Sequence, residues 1–137
     1  MHQLSRSILS SFLLLCFATA SAATVEVRVA GVTAKGKVSV AVCDKERFLK
    51  QCAYSAWAPA QAGETTVTVK GVPSGTWAVL AYQDENGNGE LDRNLIGMPK
   101  EAYGFSRDAR GKFGPPGFED AAIEVGEAPA TATIRLR

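Results

Sequence analysis

Valine alternates with polar residues in run after run of this chain, and that period of two restricts the fold more than any other feature. Thr24-Val25-Glu26-Val27-Arg28-Val29 puts three valines on one face and polar groups on the other. Lys37-Val38-Ser39-Val40-Ala41-Val42, Thr66-Val67-Thr68-Val69-Lys70 and Thr133-Ile134-Arg135-Leu136-Arg137 repeat the pattern. Successive side chains of a strand point to opposite faces, so each run offers one apolar face to a core. Thr76-Trp77-Ala78-Val79-Leu80-Ala81-Tyr82 is apolar on both faces, which suits a central strand. Ala122-Ile123-Glu124-Val125 supplies a sixth strand, and a further short one is expected within residues 100–113. Gly31 to Gly36 reads as a loop, and Pro73 sits at the second position of a turn through Val72-Pro73-Ser74-Gly75-Thr76. No long amphipathic helix is evident. The expected fold is all-β, a single antiparallel sandwich of six to seven strands.

The first residues read differently. Arg6 precedes the apolar run Ile8 to Ala18, and Ala20-Ser21-Ala22 has the small-x-small form that a signal peptidase accepts. The run is about half of the ~20 residues that span a bilayer, so no membrane span is expected. Cys16 follows Leu15 rather than a small residue, which argues against a lipid anchor. The expected organisation is a cleaved signal peptide over residues 1–22 and a β-sandwich domain over 23–137, in a periplasmic or secreted protein. Removing Arg6 from the 15 basic residues leaves 14, equal to the 14 acidic ones. A neutral mature chain gives no reason to expect nucleic acid or an anionic membrane as partner.

The same cleavage removes Cys16 and leaves Cys43 and Cys52, an even pair that reads as a disulfide in an exported chain. In the segment between them, Asp44 can cap a helical turn that turns Phe48 and Leu49 to the core. The spacing does not match a redox C-x-x-C motif. The only histidine, His2, also lies in the leader. A mature chain without histidine has no Ser-His-Asp or Cys-His relay and lacks the usual ligand of catalytic zinc.

The most specific pattern is Asp84-Glu85-Asn86-Gly87-Asn88-Gly89-Glu90-Leu91-Asp92. Oxygen-bearing side chains at the first, third and fifth positions, Gly at the sixth and Asp at the ninth follow the spacing of a loop that wraps Ca²⁺. The candidate ligands are Asp84, Asn86, Asn88, Asp92 and the carbonyl of Glu90, with Leu91 anchoring the loop to the core. The twelfth position is Leu95, not the bidentate Glu of an EF-hand, and no flanking helices are expected. Asn94 or Glu101 is available to supply the missing oxygen. Such a ligand set implies weak binding, ~10⁻⁴–10⁻³ M. The alternative is an Asn-Gly-rich turn whose side chains bond only their own backbone.

Downstream, glycine and proline are dense through residues 97–121, yet Tyr103, Phe105, Phe113 and Phe118 interleave with them. Either these rings fold back as a lid on the sandwich, or they line a groove for a ligand or protein. The combination of the acidic glycine loop with Gly97-Met98-Pro99-Lys100-Glu101, Tyr103-Gly104-Phe105-Ser106, Phe113-Gly114-Pro115-Pro116 and Phe118-Glu119-Asp120-Ala121 resembles domain of unknown function family 2141 of bacteria. The resemblance covers nearly the whole mature chain. It implies an exported β-sandwich of transthyretin-like (prealbumin-like), carboxypeptidase-regulatory-like or immunoglobulin-like type, and it implies no known activity.

The functional expectation is a monomeric, non-catalytic exported module, stabilised by calcium, that presents the aromatic loop to an unknown ligand or envelope protein. Two other classes stand beside it. One is a hydrolase using carboxylates such as Asp84, Glu101 or Glu119, and the other is a purely structural envelope component.

Overall fold

The computed structural model describes residues 13–15, 22–91 and 99–137. Most of the expected signal peptide therefore lies outside the described residues, and Leu13 to Leu15 are exposed without regular structure. No helix among the described residues is long and apolar enough to cross a membrane.

Among the described residues, eight strands form two facing sheets: β1 (Ala22–Val32), β2 (Lys37–Cys43), β3 (Tyr54–Pro59), β4 (Gly63–Pro73), β5 (Gly75–Asp84), β6 (Tyr103–Phe105), β7 (Ala122–Val125) and β8 (Ala130–Arg135). One sheet has the order β4-β1-β8 and the other β3-β2-β5-β6, with β7 also on β5. The all-β expectation holds, with two differences in detail. Strand β8 runs parallel to β1, so the pairing is mainly rather than wholly antiparallel. Strand β3 is additional to the expected set. Its sequence, Tyr-Ser-Ala-Trp-Ala-Pro, carries only small residues between its aromatics and has little β-branched character. As an edge strand on β2 it tolerates Pro59 and needs only Tyr54, Ala56 and Ala58 half-buried.

The valine faces meet as the alternation requires. Val25, Val27 and Val29 of β1, Val38, Val40 and Val42 of β2, and Val67 and Val69 of β4 are all buried in one cluster with Val79 and Ile134. Full burial of each valine contributes about 1.5 kcal/mol or more. Strand β5 is buried on both faces. Trp77, Val79 and Ala81 enter this main core, while Ala78 and Leu80 face a second, smaller cluster with Phe48, Phe105, Phe118 and Ala121.

The second cluster covers the outer face of β5 with β6, helix α1 (Phe118–Ala121) and the disulfide-closed turn. Cys43 and Cys52 are joined by a disulfide. The Asp44 carboxylate accepts the Arg47 N–H at 2.9 Å, and Phe48 turns inward as expected. Leu49 corrects the expectation: it takes φ 63° and is exposed, because a left-handed residue reverses the chain and directs successive side chains apart. Phe48 meets Phe105 and Phe118 edge-on, each at 5.9 Å between ring centres.

Strand β6 joins the sheets at one corner. It pairs with β5, and the Tyr103 and Arg137 backbones exchange hydrogen bonds of 3.3 and 3.1 Å. Gly104 permits this approach, since a Cβ there would lie 2.4 Å from the Arg135 carbonyl oxygen and 2.7 Å from Ile134 Cγ2. Backbone cannot swing aside as a side-chain tip can. Gly104→Ala should therefore lower unfolding stability by about 2–3 kcal/mol in urea titrations. A loss within about 0.5 kcal/mol would show that the corner is slack.

Candidate functional site

The acidic glycine loop starts at the end of β5, and the last two residues of that strand organise it. Gln83 is buried, and its amide nitrogen donates to the Thr33 and Lys35 carbonyl oxygens, each at 2.7 Å, while its amide oxygen accepts the Thr33 N–H at 3.0 Å. These bonds hold the β1–β2 loop against the start of the acidic loop. Gly36 completes the contact, because its φ is +67° and a Cβ would fall 2.1 Å from the Asp84 carbonyl oxygen.

Asp84 is wholly buried. Its carboxylate accepts the N–H groups of Gly89 at 2.7 Å and Asn88 at 3.2 Å, and Lys37 Nζ lies 3.9 Å away. A buried carboxylate requires such compensation, since desolvation costs several kcal/mol per ion. The Asn86 amide oxygen accepts the Asn88 N–H at 3.2 Å, and that of Asn88 accepts the Glu90 N–H at 2.9 Å. Side-chain oxygens at the first, third and fifth positions are thus drawn toward the backbone of the loop they belong to. Glu101 Oε2 also reaches the loop and accepts the Glu85 N–H at 2.8 Å. Tyr82 donates its hydroxyl to the Gly89 carbonyl oxygen at 3.0 Å. Leu91 is half-buried, while Asp92 and Asn94 lie outside the described residues.

Among the described residues, no group of three or more His, Cys, Asp or Glu side chains is placed to hold a metal ion. That class omits the asparagine oxygens and backbone carbonyls on which the expected Ca²⁺ set depends.

The four aromatics of the glycine-rich segment divide sharply. Phe105 is only 4% exposed, and Tyr103 and Phe118 are half-buried in the second cluster, with Tyr103 edge-on to Phe105 at 6.0 Å. Phe113 is fully exposed. Tyr103, Phe105 and Phe118 pack in that cluster, and Phe113 is the ring left facing solvent. Two anchors hold the ends of the intervening loop. The Ser106 hydroxyl, wholly buried, accepts the Val79 N–H at 3.0 Å and donates to the Ala121 carbonyl. Val79 falls between the stretches of β5 paired by β7 and by β6, so the hydroxyl fills a gap in the ladder. At the far end, helix α1 (Phe118–Ala121) begins where the Asp120 carboxylate accepts the Gly117 N–H at 3.1 Å.

Immediately after Ser106, Arg107 and Asp108 take φ of 60° and 50°. Two adjacent non-glycine residues in this left-handed region cost about 1 kcal/mol or more each. The conformation directs the Asp108 carboxylate to Arg137 at 3.2 Å and Arg110 at 3.8 Å. These residues border a cleft of about 170 Å³ floored by Gly104 and Gly111. A second groove, of about 250 Å³, runs over β2 and β3 between Trp57 and Tyr82, with Lys37 5.0 Å above the Trp57 ring. Neither recess was legible as a site in the sequence. Alternation did place Arg135 and Arg137 on one strand face, but nothing local announced that Asp108 and Arg110 would meet them.

Of the carboxylates considered for hydrolysis, Asp84 and Glu101 hold loop N–H groups. Glu119 pairs with Lys45 at 2.7 Å, and the Lys45 hydrogen bond and charge hold its pKa below the ordinary value.

Fold and loops together define a two-sheet all-β protein in which a self-capped acidic glycine loop adjoins an aromatic cover. The family model described as "Uncharacterized protein conserved in bacteria", domain of unknown function family 2141, matches residues 27–133, and the chain belongs to that family. Comparison with curated proteins and with solved structures returns no match.

The phenol beside the acidic loop yields a pH test. Partial burial raises the Tyr82 pKa above its ordinary 10.0; a Ser39 hydrogen bond opposes the shift, and the charges of Asp84, Glu101 and Glu90 add to it. The folded state therefore holds this proton more tightly than the unfolded chain. The resulting stability is present below pH ~10 and is lost as pH rises through the folded pKa. Melting temperature should fall above pH ~10, and Tyr82→Phe should flatten that part of the profile. Tyrosinate absorbance should show one of the three tyrosines ionising late, and that late step should vanish in the variant.

Proposed function

We propose that this chain is an exported, non-catalytic binding module that acts as a monomer in the periplasm or outside the cell. It presents the loop between Ser106 and Gly117 to a ligand or envelope protein. The observation that carries this reading is the contrast at Phe113. The loop has anchored ends and three inward-facing rings around it, yet it keeps one large apolar ring wholly in solvent. An exposed aromatic on a loop held by a rigid scaffold is a common means of recognition.

Calcium belongs to the same reading as a stabiliser. Asp84, Asn86, Asn88, Asp92 and the Glu90 carbonyl are its proposed ligands, with Glu101 at the edge of the loop. Support comes from the spacing of the oxygens along the loop.

Two measurements test the parts separately. Capture of a partner from envelope extract should be lost with Phe113→Ala, a variant that leaves the buried rings untouched. Equal capture by variant and wild type would remove Phe113 from recognition. For calcium, the increment in melting temperature between chelator and 1 mM Ca²⁺ is the readout, because Asp84→Ala also deprives two N–H groups of their acceptor. With a Kd near ~10⁻⁴ M, the ion should add about 1.4 kcal/mol, a rise of roughly 5 °C that disappears in Asp84→Ala. No increment in the wild type would overturn the calcium assignment.

A further inference from the structure

Three arginines converge on the cleft beside β6, and they come from separate parts of the chain. Arg110 belongs to the glycine-rich loop, Arg135 ends β8 and Arg137 follows it. Arg135 and Arg137 are two apart on an extended segment, so both leave the face opposite Ile134 and Leu136, which are buried. Among the described residues, Asp108 is the one acidic side chain that borders the cleft, and it is shared between Arg110 and Arg137. Its carboxylate balances one of three positive charges.

We infer that this cleft is a binding site for the carboxylate or phosphate group of a small anionic ligand, with Arg135 as its principal contact and Asp108 as the residue that positions Arg110 and Arg137. The inference deepens the binding reading above and rests on it, because the cleft is walled by the same loop that carries Phe113. Guanidinium presents its donors as a planar fork that matches carboxylate and phosphate oxygens two at a time. Asp108 accepts one hydrogen bond from Arg137 at 3.2 Å and lies 3.8 Å from the Arg110 guanidinium, which keeps both groups at the cleft before a ligand arrives and lowers the ordering cost of binding. The left-handed backbone at Arg107 and Asp108 fits this role, since strain at two adjacent non-glycine residues persists only where the surroundings demand that geometry.

Size sets the class of ligand. A volume of about 170 Å³ is well below the ~300–1,000 Å³ of pockets that enclose a drug-sized molecule. The cleft therefore takes the charged end of its ligand, with glycines and the Tyr103 ring around it, and leaves the remainder outside. The neutral charge of the mature chain does not oppose this, because the excess is local to one corner.

The test is a ¹H–¹⁵N NMR titration of the mature protein with inorganic phosphate and with benzoate, at constant ionic strength, with benzamide as the neutral counterpart. Saturable shifts are expected at the amides of Tyr103, Gly104, Gly111 and Gly114 with one or both anions, and none with benzamide. Arg135→Ala should weaken the binding by roughly tenfold or more and leave the rest of the spectrum in place. Asp108→Asn should weaken it less, through loss of alignment, and should also disturb the Arg110 and Arg137 side-chain resonances. Non-saturating shifts, equal affinity in Arg135→Ala, or equal shifts with benzamide would overturn the site. The two readings fail separately. Phe113-dependent capture of a partner without any anion response removes the cleft alone, whereas an Arg135-dependent anion response with capture indifferent to Phe113→Ala supports the cleft and removes the exposed ring.

Discussion

Strand β5 is covered on both faces, and the rest of the structure follows from that constraint. A strand between two apolar layers needs a sheet on one side and a second cover on the other. The facing sheet meets the first need through its valines, with Trp77, Val79 and Ala81 entering the main core. The second is met by short or irregular segments: the disulfide-closed turn with Phe48, the three-residue edge strand β6 with Phe105, and helix α1 with Phe118. The glycine-rich segment is therefore held in place by what it covers. Its irregular backbone is affordable only because Ser106 supplies the hydrogen bond that the interrupted ladder leaves open at Val79.

Both candidate regions sit at points where β5 hands the chain over to something less regular. At its C-terminal end, Gln83 and Asp84 spend buried polar groups on neighbouring loops rather than on the sheet. Such groups are costly to bury and pointless in a core that only needs to pack. Their use here keeps the acidic loop in one conformation, whether its occupant is an ion or its own amides. Along its outer edge, β5 holds β6, and β6 in turn brings the end of β8 across from the other sheet. The arginine cleft lies at that corner, where the two sheets come closest to joining.

Much of the fold was legible because strand periodicity is a local property. Val25, Val27 and Val29 announced a buried face without reference to any other segment, and the doubly apolar run at residues 76–82 announced a central strand. Strand β3 was not legible, since an edge strand of small residues is stabilised by its neighbour rather than by its own propensity. Leu49 was misjudged for a related reason. A helical turn would have buried it beside Phe48, but the left-handed backbone that closes the disulfide loop turns it outward.

The sequence by itself determined the all-β class, the inward faces of the main strands, the Cys43–Cys52 pairing and the oxygen spacing of the acidic loop. Each of these depends on residues close together in the chain or on simple parity of a short count. Only the tertiary structure decided that Phe105 is buried while Phe113 is exposed, although both stand among the same glycines and prolines. The pairing of Phe105 with Leu80 on β5 makes that difference, and no local pattern encodes it. The same holds for the arginine cleft. Arg110 and Arg137 lie far apart in sequence and share Asp108 only because Gly104 lets two strands from different sheets touch.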